Sequence, residues 1–457
     1  MLPDSAYIQE TETEYKNRKR KRSGLSDLEP LYTIADAMTA VSRFTSVKYD
    51  DIVRLNDSFS VRFRDAGHIL GSASIEIWCV EDSRTTKIVF SGDIGKKNTP
   101  IIKDPSCINE ADYLVMESTY GAKRHIFKEN ADDALFTAIE ETLRNNGTVI
   151  IPSFAVGRTQ EMIYRLNRQI DLMDKYSLIK KFPVYIDSPL AISATEVFAD
   201  NTDIFDAEAR KYMLAGDNTL DFPNLVFTRT AEESKQINFN KEPKIIISAS
   251  GMCEAGRIKH HLKHNLWKKN TMVLFVGYQA PGTLGRRLVD GAKKVSIFGD
   301  PIEVRARIVN IDGFSGHGDM DDLDSYLDCF KKKPEKIFLV HGESDQLTEF
   351  RSRIKKKFNI EALIPEFGSS FELKCGSCTD ATSEETIESG REGFHRTELI
   401  NIIKEIKSYM DILSQQISFD KINSMNDAQV LEGINAYRKI GDAVSTLAKT
   451  TGVDLNE

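Results

Sequence analysis

The stretch GTVIIPSF (147–154) is an apolar run of strand length that ends in a Pro/Ser turn, and a helical pattern at about 157–169 follows it. PVYIDSPLA (183–191) and PKIIISASG (243–251) repeat that scheme, and TMVLFVGY (271–278) is another such strand. Apolar runs of this kind suit strands covered on both faces by helices. Strands alternating with helices specify an α/β fold, which presents ligands at the carboxyl ends of its strands.

The pattern changes on either side of this block. Residues 5–22 read as a polar helix ending in the basic run KNRKRKR (16–22), a solvated face or an edge for phosphates. IVRLNDSFSVRFRDAG (52–67) alternates in strand fashion around Asn56-Asp57, and SASIEIWCV (72–80) and TTKIVFSG (85–92) are further strands. YLVMEST (113–119) reads as a buried strand, and residues 130–145 as an amphipathic helix stopped by Asn145-Asn146-Gly147. Strand alternation returns over 294–312, and KIFLVHGES (336–344) is a buried strand with a histidine at its end. Residues 376–392 are polar and read as a linker. Beyond them come two amphipathic helices, TELINIIKEIKSYMDILSQQI (397–417) and VLEGINAYRKIGDAVSTLAK (430–449).

The composition narrows the class. At 457 residues, 40% hydrophobic and 28% charged, the chain has material for about three domains. It contains no run of 18 apolar residues, so no membrane span is expected. Residues 1–22 lack the apolar core of a secretory signal, and the 6 cysteines are too scattered for a disulfide framework. A cytoplasmic chain is the expectation. A net charge of −8 excludes general electrostatic attraction to nucleic acid and leaves room only for a local basic channel. There are 8 histidines: His68, His125, His260, His261, His264, His317, His341 and His395.

Histidines and acids recur beside glycines at strand ends. They stand in Asp65-Ala66-Gly67-His68, Ser91-Gly92-Asp93, Glu117-Ser118-Thr119-Tyr120-Gly121, Ser315-Gly316-His317-Gly318-Asp319 and His341-Gly342-Glu343. A single buried histidine is more often satisfied by a backbone carbonyl. Three of them with two acids in the same context point to one site. Neutral imidazoles with carboxylates suit Zn²⁺ or Mn²⁺. One carboxylate can bridge two ions and help activate water, and a histidine held by a carboxylate can act as a general acid.

These residues carry a resemblance to the β-CASP group of metallo-β-lactamase-fold RNA nucleases, the family of the cleavage-and-polyadenylation endonuclease. GHILGSA (67–73) and FSGDIG (90–95) resemble the family's third and fourth metal motifs. ESTYG (117–121), FSGHGD (314–319) and LVHGES (339–344) resemble its three β-CASP motifs. The runs IPSFAVGRTQE (151–161), DSPLA (187–191), SASGMCEAGR (248–257) and GYQAPGTLGRRL (277–288) are similar to it too. The resemblance implies a partial metallo-β-lactamase αββα sandwich, an inserted β-CASP α/β domain and a C-terminal helical extension. The segments would be 1–119 (metallo-β-lactamase), 120–292 (β-CASP), 293–375 (closing metallo-β-lactamase segment), 376–392 (linker) and 393–457 (helical extension). It also implies roles. His68 would bind a first zinc, Asp93 would bridge two, and His341 would bind the second. His317 would protonate the leaving oxygen, with Glu117 holding it. The implied reaction is hydrolysis of RNA phosphodiesters, endo- or 5′–3′ exonucleolytic, on a single strand threaded between the domains.

One departure stands against these matches. The family's His-x-His-x-Asp-His run, which precedes all of these motifs, is not in this sequence, and no histidine precedes His68. By that comparison the chain starts well into the family's first domain, and each zinc would keep only two of the three or four protein ligands a tight site wants. Three readings follow: a fragment of an active nuclease, an inactive RNA-binding or scaffold paralogue, or a site completed by another chain.

Weaker signals complete the reading. Lys259-His260-His261-x-x-His264 puts His260 and His264 four apart, which suits a metal, but a solvated helix face is the commoner arrangement. Cys375-Gly376-Ser377-Cys378 has no partner motif. Ser250 and Gly251 sit in a Gly/Ser turn whose amides could cradle a phosphate. Arg158, Arg257, Arg286 and Arg287 are the candidate RNA contacts. The two terminal helices could make a homodimer contact or equally pack back on the body of the chain.

Overall fold

A computed structural model describes residues 1–22, 24–125, 131–172, 176–311, 313–374 and 377–380. The expected helical extension at 393–457, almost all of the linker and the Cys375/Cys378 pair as a unit lie outside the described residues. Two compact units divide the chain: Met1–Ile8 with Thr33–Thr382, and Gln9–Tyr32 with Ser383–Glu457.

The polar helix expected near the start is α1 (Leu2–Arg22), whose later turns belong to the second unit. There Asn17 closes the returning chain by acting as a backbone mimic. Its Nδ2 donates to the Leu28 carbonyl at 2.9 Å, and its Oδ1 accepts from the Leu28 amide at 2.8 Å. Within the basic run, Arg18 and Lys21 are 76% and 69% exposed and pair with Glu14 and Asp27. Pairs this exposed contribute little stability.

The first unit continues with α2 (Ile34–Val41), which Thr33 and Asp36 close as a capping box. The strands β1 (Ile52–Arg54), β2 (Phe59–Asp65), β3 (Ala73–Glu81), β4 (Arg84–Phe90) and β5 (Tyr113–Glu117) follow. Next come α3 (Ala131–Arg144), β6 (Thr148–Pro152), α4 (Arg158–Leu172), α5 (Ser177–Lys181), β7 (Val184–Ile186) and α6 (Pro189–Asp200). Then come α7 (Ala207–Leu214), β8 (Leu225–Phe227), α8 (Ala231–Phe239), β9 (Lys244–Ser248), α9 (Ile258–Asn265), β10 (Thr271–Phe275) and α10 (Leu284–Val289). The last are β11 (Lys294–Ile297), β12 (Asp300–Glu303), β13 (Arg307–Asn310), α11 (Met320–Asp328), β14 (Lys336–Val340), α12 (Ser344–Phe358), β15 (Glu361–Leu363), β16 (Phe371–Lys374) and β17 (Ser377–Asp380).

Two sheets result. One runs β1-β2-β3-β4-β5-β14-β15, an antiparallel meander continued by parallel strands. The other runs β13-β10-β6-β9-β7-β8 and is parallel throughout. Every residue of β9 and of β10 is buried, because helices cover both faces. The period of two sorts their side chains. Val149, Ile151, Ile245 and Ile247 join a core with Phe136, Ile139 and Ile163, whereas Ile150, Ile246 and Val273 join one with Ile258, Leu262 and Leu284. Over the first sheet, Leu323 and Leu327 of α11 and Phe350 and Ile354 of α12 cover Val89, Leu114 and Leu339. The mixed α/β architecture, one mixed sheet and one parallel sheet with helices against them, is the class expected from the sequence.

Two features add to the sequence reading. The closing segment expected at 293–375 contains β13, which pairs in parallel with β10 and so lies in the second sheet. Alternation shows that 307–310 is a strand, not which sheet recruits it. The scattered cysteines do form one bridge, Cys107–Cys329, across a sequence separation of 222, with Cα atoms 5.4 Å apart. Spacing so large carries no signal of pairing.

The second sheet is fastened from within by Asp187, at the end of β7. Its carboxylate is fully buried and accepts from His261 Nε2 (2.6 Å), Thr228 Oγ1 (2.7 Å), Ser234 Oγ (2.6 Å) and Arg257 Nη1 (2.7 Å). Burial opposes its charge, but these bonds win and hold its pKa near 2, against an ordinary 3.8. A depressed carboxylate stabilises the fold above its unfolded pKa and loses that contribution as pH falls through the folded one. Asp187 should therefore contribute about 2 kcal/mol above pH ~4 that disappears towards pH ~2. Denaturant titrations should show Asp187→Asn well below wild type at pH 7, with the gap narrowing below pH ~4.

Candidate metal centre

β2, β4, β5 and β14 point the same way, so their carboxyl ends share one edge of the first sheet. His68 lies in the turn after β2, Asp93 follows β4, Glu117 ends β5, and His341 follows β14. His317 arrives from outside the sheet, where it forms an isolated antiparallel bridge with Gly95. All five residues that strand ends and glycines singled out meet at this edge.

The backbone approach needs glycine. A Cβ on Gly95 would sit 1.7 Å from the Gly67 carbonyl, and one on Gly342 would sit 2.6 Å from the Ser118 carbonyl. Gly67 itself takes φ +66, the left-handed region open to glycine. The His68 turn is then pinned by side chains. Asp65 Oδ1 accepts from the Gly67 amide at 2.9 Å, and Ser72 Oγ accepts from the His68 and Ile69 amides at 3.1 and 3.2 Å.

Asp93 stands between two imidazoles. Its Oδ2 is 3.9 Å from His68 Nε2 and its Oδ1 is 3.5 Å from His341 Nε2. Each oxygen faces a different histidine, the geometry of a bridging carboxylate. His68, Asp93 and His317 each offer a ligand atom within 4.8 Å of the others. The His68 and His317 rings are 4.3 Å apart. Burial, and then the charge of His317, lower the His68 pKa and keep it in the neutral form that binds metal. His68 Nδ1 is buried with no hydrogen-bond partner among the described residues.

His317 is held differently. Its Nδ1 is 3.2 Å from Glu117 Oε1. Glu117 is 2% exposed and also accepts from the Ile94 amide (2.6 Å) and the Thr119 amide (3.2 Å). Burial works against both charges, but the pairing outweighs it, raising the His317 pKa and lowering that of Glu117. The sequence reading missed His125. Its Nε2 lies 2.8 Å from the His317 carbonyl, which can only accept, so Nε2 carries the proton. Tyr120 packs edge-on to the His125 ring at 4.6 Å. Its position four residues past ESTYG was the available signal.

Comparison with known proteins places the chain in a family. Residues 159–288 match the family model described as Beta-Casp domain, and residues 301–365 match that of the Zn-dependent metallo-hydrolase RNA specificity domain. Ribonuclease TTHA0252 of Thermus thermophilus is 33% identical over 320 residues, 70% of each chain. The RNase J-like protein of Methanocaldococcus jannaschii is 34% identical over 347 residues, 75% of this chain and 78% of the relative. The chain belongs to the β-CASP family of metallo-β-lactamase-fold RNA nucleases. Transcription termination factor FttA of the same archaeon is 31% identical over 346 residues, but those residues are only 53% of its length.

Within this β-CASP chain, most of the residues assigned to RNA have protein partners. Arg158 is 11% exposed and paired with Glu161, which also holds Arg165. Arg257 bonds Asp187 and the Thr228 and Arg229 carbonyls. Both guanidinium groups are thus engaged by protein partners, Arg158 by Glu161 and Arg257 by Asp187. Arg286 pairs with Asp290 at 2.9 Å while 42% exposed, and Arg287 is exposed. Ser250 Oγ caps its own turn through the Glu254 and Ala255 amides, and Gly251 packs under the Phe154 ring. His260 and His264 join no metal-type cluster among the described residues, whereas the neighbouring His261 faces inward to Asp187.

Replacing Gly95 tests the close approach. Gly95→Ala must displace the backbone of the His68 turn, so a loss on the order of 3 kcal/mol in chemical denaturation is expected. Gly277→Ala, with open space at its Cβ position, should stay within about 0.5 kcal/mol.

Proposed function

We propose that this chain is a zinc-dependent RNA phosphodiesterase, cutting within a single strand or from its 5′ end. The observation that carries the reading is the Glu117–His317 pair beside the His68–Asp93–His341 cluster. The residues fit the metal: three imidazoles and one carboxylate converge, Asp93 offers one oxygen to each of two histidines, and the buried His68 ring is turned into the cluster. His68, Asp93 and His341 would hold zinc, which supplies Lewis acidity towards the phosphate and lowers the pKa of water.

The protein's own share of the chemistry follows from the hydrogen bonds. Glu117 accepts the Nδ1–H of His317, which leaves Nε2–H as the proton His317 can deliver. The leaving oxygen of an RNA ester needs that proton as the P–O bond breaks. His125, through the His317 carbonyl, and Gly95, through its bridge, fix the backbone that aims the ring. Ile94 and Thr119 keep Glu117 from turning away.

A second reading has its own observation. The described residues bring three histidines and one aspartate to the cluster, fewer than two closed zinc sites require. A chain that binds RNA without cutting it is the alternative.

Labelled single-stranded RNA incubated with the chain and Zn²⁺ separates them, with metal content measured by mass spectrometry on the same samples. Hydrolysis that His317→Ala reduces by about 10²-fold or more, with zinc retained, supports the proposed acid. Loss of zinc together with activity would reassign His317 as a ligand. His68→Ala should lower zinc content; unchanged content removes it from the metal. Intact RNA at every zinc concentration leaves the binding-only reading.

A further inference from the structure

The stretch RIKHHLKHNLWKK (257–269) carries five cations and three histidines and no acid, in a chain of net charge −8. Arg257 and His261 turn inward to Asp187 and Ile258, Leu262 and Asn265 are buried, whereas His260, Lys263 and His264 are not, Lys263 pairing with Asp300 at 2.5 Å. His260, Lys263, His264 and Trp267 stand at i, i+3, i+4 and i+7, one face of α9 carried through its helical cap at Leu266. Trp267 is 53% exposed, one of only two tryptophans in the chain, with Lys268 Nζ 5.6 Å from its ring.

The β11–β12 hairpin adds a second aromatic. Ile297 pairs with Asp300, so the turn is Phe298-Gly299, with φ +55 and +87. Two positive φ values make a hairpin turn that prefers Asn-Gly. Phenylalanine is a poor residue there and pays conformational strain for its place. It nonetheless remains 47% exposed. The His260 ring packs on it at 4.7 Å, and Lys259 and Lys263 Nζ lie 5.1 and 6.0 Å from its centre. The His260/His264 pair, which suggested a metal, is thus part of a basic and aromatic surface.

We infer that this face of α9, with Phe298 at one end and Trp267 at the other, binds single-stranded RNA by base stacking and phosphate pairing. Cations alone would suit any polyanion, and exposed rings alone any apolar partner. Together they match a ligand that alternates phosphates with π-faces. The surface lies on different elements from the Asp93 cluster. It rests on the reading that RNA is the ligand, and not on cleavage.

Binding is measured without turnover, on the full chain carrying His317→Ala, with a 12-nucleotide oligouridylate as probe. The oligonucleotide should quench tryptophan fluorescence, and Trp267→Phe should remove most of that change, leaving Trp78 as a silent reference. Phe298→Asn should weaken binding roughly 5- to 100-fold, the loss of one stacked base. Because asparagine suits the turn, the melting temperature of that variant should not fall. Affinity should drop steeply with salt. Unchanged affinity in Phe298→Asn, or binding without any change at Trp267, overturns the proposal. Equal quenching by an acidic peptide overturns it in favour of a protein partner. Cleavage by the chain with His317 restored and Phe298→Asn present reports on the nuclease reading separately.

Discussion

Three lengths of backbone, far apart in sequence, meet at hydrogen-bonding distance, and the site depends on that meeting. The Gly95 amide donates to the Ala66 carbonyl at 2.8 Å, the Lys96 amide to Gly316 at 3.3 Å, and the Gly318 amide to Ile94 at 2.7 Å. No side chain fits between the first two segments, as the position of a Cβ on Gly95 shows. The glycines of these motifs are therefore steric requirements. They bring His68, Asp93 and His317 together because their main chains already touch. Glu117 reaches the same place through the Ile94 amide, so the acid's partner and the metal cluster share one backbone frame.

Buried charge follows a common plan elsewhere in the first unit. Glu76, 1% exposed, is held between Arg62 at 2.5 Å and Lys87 at 2.7 Å. Asp187 has His261 and Arg257, and Glu161 has Arg158 and Arg165. In each case a carboxylate that would be costly alone is answered by two cationic or hydrogen-bonding partners. Removing one partner costs more than the pair contributes, so these clusters act as locks on register and orientation. They also turn Arg158, Arg165 and Arg257 towards buried acids.

Much of this was legible in the sequence, and for physical reasons. The parallel sheet was readable because IIIS and MVLF are buried on both faces and so show unbroken apolarity. His68, Asp93, Glu117, His317 and His341 were readable because chemistry at strand ends travels with glycine. What escaped depended on distance in the chain. Arg257 meets Asp187 from 70 residues away, and nothing near either announces the other. The Arg158–Glu161 pair lies three residues apart, a spacing that pairs charges on a helix, so that partner was within reach of the sequence. The strand at 307–310 could be seen but not its sheet, because pairing partners are chosen by topology. His125 escaped because it acts on a carbonyl, and backbone leaves no trace in residue type.

The bridge between Cys107 and Cys329 encloses the whole parallel sheet. Topologically, the inserted domain is a closed ring hanging from a covalent clasp at its base. A protease nick anywhere in that ring changes the number of chain ends without releasing a piece: the product runs as one species until a thiol opens the clasp. Closing so long a loop also removes freedom from the unfolded chain. The two halves of the first sheet, separated by that ring in sequence, therefore remain neighbours even when the ring itself is loosened.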